Sequence, residues 1–135
     1  MELLYKEESF IIRGVAFDIY KQFRSNHKEK IYHHKEKIYH NACFIGLTNK
    51  GLKAENDKRI DVFFCGKKVG VYVPDLIIND SILIELKAKP RLLKEDEKQF
   101  WYYLKGTDYK LGFLINFGAP DGVEIVRKVY DSARK

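Results

Sequence analysis

The first fifty residues carry a helical pattern of apolar positions. Between Leu3 and Phe23, apolar residues recur at steps of three, four and seven, which places them on one face of a helix. A second apolar helix continues from Ala42 to Leu47. It is expected to end at Gly51, because glycine readily adopts the left-handed conformation that often follows a helix. The pattern therefore predicts two helices before any strand.

A direct heptad repeat lies between these two helical patterns. The sequence HKEKIYH stands at 27–33 and again at 34–40. Seven residues are close to two helical turns, so two helical copies would present the same face. All four histidines of the chain lie in this repeat. The lysines between them favour a solvated, partly protonated face over a transition-metal site.

From residue 60 onward the pattern changes to that of strands. β-branched and aromatic residues, bounded by turns such as Asn79-Asp80, indicate short strands. The predicted strands are 60–65, 69–78, 81–88, 111–117 and 123–129. The first three form an antiparallel meander. A helix over 95–105 connects the third strand to the fourth, so those two should pair in parallel.

These elements predict a mixed α/β (α+β) fold in the order α-α-β-β-β-α-β-β. Its five-stranded mixed sheet is flanked by helices, and the 135 residues form one domain, 1–135. No apolar run approaches the roughly 18 residues that span a bilayer. The acidic start of the chain is unlike a secretory signal, and two cysteines make no disulfide framework. We therefore expect a cytoplasmic protein without membrane contact. The net charge of +6 favours a polyanionic partner such as nucleic acid.

Candidate chemistry is concentrated where the second and third predicted strands meet. Glu85 and Lys87 are two residues apart and share one face of a strand. The turn at 79–80 folds Asp75 back towards them. An isolated Glu-x-Lys is most often a surface ion pair, but these charges interrupt an apolar run, as functional residues do. Two carboxylates suit a hard cation such as Mg²⁺, and Lys87 would then orient or deprotonate an attacking water.

The segment Pro74-Asp75…Glu85-Leu86-Lys87 resembles the PD-(D/E)xK signature of restriction-endonuclease-like nucleases. The chain is further similar to the GxxExxY group of that superfamily. The matching segments, in order, are Glu36-Lys-Ile-Tyr39, Glu85-Leu-Lys-Ala88, Gln99-Phe-Trp-Tyr-Tyr103 and Leu114-Ile-Asn-Phe-Gly118. They extend over nearly the whole chain, and the combination is far more specific than any one part.

The resemblance implies a role for each matching residue. These roles are metal ligands for Asp75 and Glu85, the catalytic lysine for Lys87, an auxiliary acid for Glu36, and a contribution from the following helix for Gln99. Tyr39 and Tyr103 would pack or hydrogen-bond near the site. The implied cofactor is Mg²⁺ or Mn²⁺. Lys35, Lys37 and Lys89 are candidates for contacts with phosphate groups.

The chain departs from the family pattern in the first motif. His33 stands where glycine is expected three residues before the glutamate, and the repeat offers Glu29 as an alternative to Glu36. Glu36 is preferred because the apolar helix continues directly from it. If the first copy docks on the sheet instead, Glu29 takes the role.

The sequence thus predicts a metal-dependent nuclease that hydrolyses phosphodiester bonds of DNA. With no added module for recognising sequence, structure-directed or weakly specific cleavage is expected. The sequence leaves open whether the protein forms a homodimer. The alternative is a catalytically silent module that binds nucleic acid or protein. A third interpretation is a structural protein whose acids merely pair with lysines.

Overall fold

The computed structural model describes residues 5–23 and 36–130. Helix α1 spans Lys6–Phe23 and helix α2 spans Glu36–Asn49. Glu29 and Lys35 lie outside the described residues, as do the whole first copy of the heptad and the start of the second. Within the part of the chain that is described, no helix has the length and apolar character needed to cross a membrane.

In the described part of the chain, seven strands and a third helix follow α2. The strands are β1 Ala54–Asn56, β2 Ile60–Phe64, β3 Lys67–Tyr72, β4 Leu76–Ile78, β5 Ile82–Lys87, β6 Leu111–Asn116 and β7 Glu124–Val129, with α3 at Lys94–Lys105 between β5 and β6. The main sheet has the order β1-β4-β5-β6-β7. Strands β5 and β6 are parallel and all other neighbours are antiparallel. The α/β class, the five-stranded mixed sheet and the parallel crossover are confirmed.

The strand membership of the sheet differs from the prediction. The predicted strand 69–78 breaks at Pro74-Asp75 into β3 and β4, which belong to different sheets. Proline has no N–H to donate and is disfavoured inside a sheet, so the ladder stops there. Strands β2 and β3 form a separate hairpin, and the fifth place in the main sheet is taken by β1. This short strand, with the sequence Ala-Glu-Asn, was not predicted.

The two faces of the central strand pack against different helices. The side chains of Ile82, Ile84 and Leu86 join the core under α1 and α2. Leu83 belongs to the smaller core under α3, together with Phe100. Because successive residues of a strand alternate between faces, Glu85 and Lys87 lie on the α3 side of the sheet, with Leu83.

Asn116 connects the end of the central strands to the loop that leads into α3. Its buried side chain accepts hydrogen bonds from the backbone N–H groups of Lys89 (2.9 Å) and Gly118 (3.2 Å). Its amide donates to the Lys89 carbonyl (2.9 Å) and to Glu124 Oε1 (2.7 Å). A Cβ atom at Gly118 would overlap the Lys89 backbone. The asparagine and glycine of the Leu114–Gly118 segment therefore have a structural explanation.

Replacing Asn116 with alanine is expected to destabilise the fold by about 2–4 kcal/mol, because several buried polar groups lose their partners at once. Denaturant unfolding followed by circular dichroism measures this change. The exposed Asn49 is the matched control, and Asn49→Ala should shift stability by less than about 0.5 kcal/mol. Equal stabilities for the two variants would contradict the proposed connection.

Candidate active site

Asp75 and Glu85 are held together across the start of β4 and the end of β5. The register pairs Leu76 with Ile84, so Asp75 lies opposite Glu85. The backbone N–H of Asp75 donates to Glu85 Oε1 (3.1 Å), and the N–H of Leu86 donates to Asp75 Oδ2 (2.7 Å). Each carboxylate thus uses one oxygen to fix its orientation. Asp75 Oδ1 and Glu85 Oε2 do not take part in these two hydrogen bonds.

The negative charge of Asp75 disfavours the ionised form of Glu85. Burial, followed by the negative charge of Asp75, raises the pKa of Glu85 from 4.5 to about 7. A divalent cation would offset both effects. Among the described residues, no group of three or more His, Cys, Asp or Glu side chains is gathered as a metal site. Mg²⁺ nevertheless fits this donor set, since it commonly binds through one or two carboxylates and keeps several waters.

The stacked aromatic rings of Tyr72 and Tyr103 lie beside Glu85. Tyr72 is buried, and burial followed by the Glu85 charge holds the pKa of its hydroxyl far above the ordinary value. Its ring stacks on that of Tyr103 with centroids 4.1 Å apart. The structure thus places Tyr103 next to a residue that contacts the site. Tyr72 was missed, because in the sequence it is only one more aromatic residue in a strand.

Helix α2, which packs on the face of the sheet opposite to α3, contributes Glu36 and His40. Partial burial and the charge of Asp75 raise the pKa of Glu36, while Lys87 and His40 lower it. His40 Nδ1 lies 3.5 Å from Asp75 Oδ1, and its Nε2 lies 2.6 Å from Asn56 Oδ1. The expectation of a solvated face is therefore wrong for His40. The available signal was its spacing of four residues from Glu36, which places both on one helix face.

Tyr39 packs in the core. It is buried, stacks on Phe117 with centroids 4.7 Å apart, and meets the edge of Phe23 at 6.3 Å. The helix turn that carries Glu36 to the site therefore carries Tyr39 into the hydrophobic interior. Its observed role is to anchor α2 against the sheet.

Two other predicted residues, Gln99 and Lys89, lie on α3 and just after β5. Gln99 is exposed on α3, one turn before Tyr103, and among the described residues it forms no hydrogen bond with Asp75, Glu85 or Lys87. Lys89 Nζ forms an ion pair with Asp96 (2.8 Å), which ties the end of β5 to α3. The ammonium group of Lys89 is thus already engaged in an ion pair.

A polar groove of about 480 Å³ opens beside Asp75. Its lining residues come from α2, β1 and the segment before β4, and they are Glu36, Lys37, His40, Asn41, Asn56, Asp57 and Asp75. Strand β1 matters here because it brings Asn56 to His40. The groove gives a polar ligand access to Asp75 from solvent.

Without a metal, ionisation of Glu85 beside Asp75 lowers the free energy of unfolding of the protein. Because the pKa of Glu85 is higher in the folded state than its ordinary value, stability is lost as pH rises from about 4.5 to 7. Glu85→Gln keeps an oxygen for the Asp75 N–H and removes the charge. We expect this variant to be more stable than the wild type by about 2–3 kcal/mol at pH values above 7, with the difference vanishing below pH 4.5.

Urea unfolding in the presence of a chelator, repeated across this pH range, tests the expectation. Glu95→Gln at an exposed position of α3 is the control and should show no pH-dependent gain. A wild type as stable as Glu85→Gln in alkaline buffer would show that the two acids do not oppose each other.

Comparison with known proteins gives one family and two structural neighbours. The family model for the PD-(D/E)XK nuclease superfamily matches residues 6–129. The crystal structure of SSO0001 superposes with a TM-score of 0.51 and 24% identity, over 73% of this chain and 52% of that one. The chain thus spans about half the length of that structure. No curated protein matches by sequence.

The second neighbour is an alkaline exonuclease (LHK-Exo) from Laribacter hongkongensis. It superposes with a TM-score of 0.50 and 16% identity, over 99% of this chain and 74% of the exonuclease chain. At these identities the two structures establish a shared fold.

Proposed function

Since the chain belongs to the PD-(D/E)XK nuclease superfamily, we propose that it is a metal-dependent nuclease that hydrolyses phosphodiester bonds of DNA. The observation that carries the proposal is the reciprocal connection of Asp75 and Glu85. Each carboxylate is oriented by a backbone N–H near the other residue, at 3.1 and 2.7 Å. Lys87 lies on the same face of β5 as Glu85.

The proposed roles follow from these positions. Asp75 and Glu85 would hold Mg²⁺ or Mn²⁺, and the ion would polarise a phosphate oxygen and activate a water molecule for attack. Lys87 supplies a positive charge that orients the attacking water and stabilises charge developing on the phosphate. His40, held by Asn56 at 2.6 Å, orients Asp75. Glu36 approaches the same space as an auxiliary acid.

A nucleic-acid substrate is supported by the net charge of +6 and by the fold neighbour LHK-Exo, which is named an exonuclease, and DNA is our proposal within that class. We further propose that cleavage is directed by the structure of the nucleic acid or is only weakly specific for its sequence. We retain the GxxExxY group on the strength of Glu36 and Tyr39, which both lie on α2. A role for Gln99 is proposed from its position one turn before Tyr103. Dimerisation stays a prediction from the sequence.

Cleavage of end-labelled single-stranded, duplex and four-way-junction DNA tests the proposal. We expect products with Mg²⁺ or Mn²⁺ and none with a chelator. A folded protein that binds the metal but cuts none of these substrates would instead indicate the silent binding module. A protein that neither binds metal nor cuts would indicate that the acids serve only the fold.

A further inference from the structure

The β2–β3 hairpin forms a two-stranded sheet of its own, separate from the main sheet. Among the described residues its strands pair only with each other. Its tip turns at Cys65 and Gly66, with φ of 50° and 75°, a conformation typical of tight hairpin turns. Ile60 and Val62, near its base, pack against the core under α3, whereas the tip contributes nothing to either core.

The hairpin tip gathers exposed apolar side chains. Phe63 is 53% exposed, Phe64 71% and Val69 64%. Single exposed apolar residues are ordinary on protein surfaces, whereas contiguous ones mark binding sites. The three lie at one end of the hairpin, with Phe63 and Phe64 on opposite faces of the ribbon, and this clustering on both faces of the tip indicates a binding surface.

Lysines lie opposite the two phenylalanines. The register pairs Phe63 with Lys68 and Phe64 with Lys67, so each face of the ribbon carries one aromatic ring and one ammonium group. Lys68 forms an ion pair with Asp61 at 3.1 Å, whereas Lys67 has no ion-pair partner among the described residues. Aromatic rings combined with lysines are typical of surfaces that bind single-stranded nucleic acid, where rings stack on bases and ammonium groups contact phosphates.

The hairpin leads directly into the candidate active site. Strand β3 ends at Tyr72, beside Glu85, and Asp75 follows three residues later. Six residues at about 3.3 Å each place the tip roughly 20 Å from the carboxylates. A nucleic-acid strand lying along the hairpin would therefore extend towards Asp75.

We propose that the tip of the β2–β3 hairpin binds single-stranded or frayed nucleic acid, with Phe63 and Phe64 stacking on bases and Lys67 contacting the backbone. The proposal rests on the proposed nuclease function and gives it a preference for unpaired segments. Such a preference needs no recognition of sequence, because every base offers a flat face for stacking.

Cys65 offers a probe at the tip. It is exposed, whereas Cys43 is buried, so a maleimide fluorophore should label Cys65 alone. Titrating the labelled protein with single-stranded oligonucleotide in chelator should give a saturable signal, weaker with blunt duplex. A signal that depends on protein concentration without nucleic acid would identify the tip as a contact with a second copy and overturn the proposal.

Phe63→Ala combined with Phe64→Ala should weaken single-strand binding by about 10- to 100-fold. Lys67→Glu should weaken it as well, and more strongly at low salt. Phe10→Ala, which removes an 80% exposed ring from α1, is the matched control and should bind normally. Unchanged binding by the double variant would overturn the proposal.

Hydrolysis of bis(p-nitrophenyl) phosphate separates this inference from the nuclease chemistry, because the compound is too small to reach both the carboxylates and the tip. The double variant should hydrolyse it at the wild-type rate. If neither protein hydrolyses it while oligonucleotide binding still depends on the tip, the proposed chemistry fails and the role of the hairpin stands. A loss of hydrolysis in the double variant alone would show that the substitutions disturb the active site, contrary to the proposal.

Discussion

Lys87→Ala is expected to reduce metal-dependent cleavage of DNA by at least about 100-fold. Losses of this size are typical when an enzyme loses a group that assists proton transfer or stabilises charge in the transition state. Lys87 lies on β5 two residues beyond Glu85, and its charge lowers the pKa of both Glu36 and Glu85 against the effects of burial and of Asp75. Single-turnover cleavage with Mg²⁺ or Mn²⁺ measures the change.

Three comparisons make the result specific. The melting temperature of Lys87→Ala should stay close to that of the wild type, and oligonucleotide binding in chelator should persist. Lys50→Ala at an exposed position after α2 removes the same charge away from the site and should cut normally. Undiminished cleavage by Lys87→Ala would remove this lysine from the mechanism.

Asp75→Asn is expected to abolish the stabilisation of the protein by Mn²⁺ or Mg²⁺. A metal at about 100 times its dissociation constant stabilises the folded state by about 2.7 kcal/mol, which raises the melting temperature by roughly 5–10 °C for a domain of this size. Asparagine keeps an oxygen that can accept the Leu86 N–H but supplies a far weaker metal ligand. Thermal unfolding with and without metal measures the shift.

The same variant carries an internal control. Without metal, Asp75→Asn should melt no lower than the wild type in alkaline buffer, because it removes a charge that raises the pKa of Glu85. Loss of the metal response therefore would not reflect a damaged fold. A metal-induced shift of wild-type size in Asp75→Asn would place the cation elsewhere in the protein.

Local periodicity predicted most of the elements of this fold. The apolar spacing of α1 and the almost wholly apolar β6 follow from burial on one face of a helix and on both faces of a central strand. The spacing of Glu85 and Lys87 was enough to place both side chains on one face of β5. Pro74 also contained the signal for a break, although the strand was predicted to continue through it.

The convergence of distant residues could not be predicted in this way. Strand β1 has only three residues, two of them polar, and its pairing with β4 depends on an edge that exists only after folding. His40 and Tyr72 reach Asp75 and Glu85 from elements on opposite sides of the sheet. No local pattern specifies such contacts, because they depend on how helices pack against the two faces.

The sequence by itself identified the residues that we propose for the chemistry, because charged side chains inside an apolar strand pattern are apparent without any coordinates. Only the tertiary structure decided how those residues act together. The backbone N–H groups of Asp75 and Leu86 reach the Glu85 and Asp75 carboxylates, and the pKa of Glu85 rises, only when β4 and β5 pair and Glu85 is buried beside Asp75. Burial and pairing are properties of the assembled sheet, since each requires groups that lie ten or more residues apart in the chain.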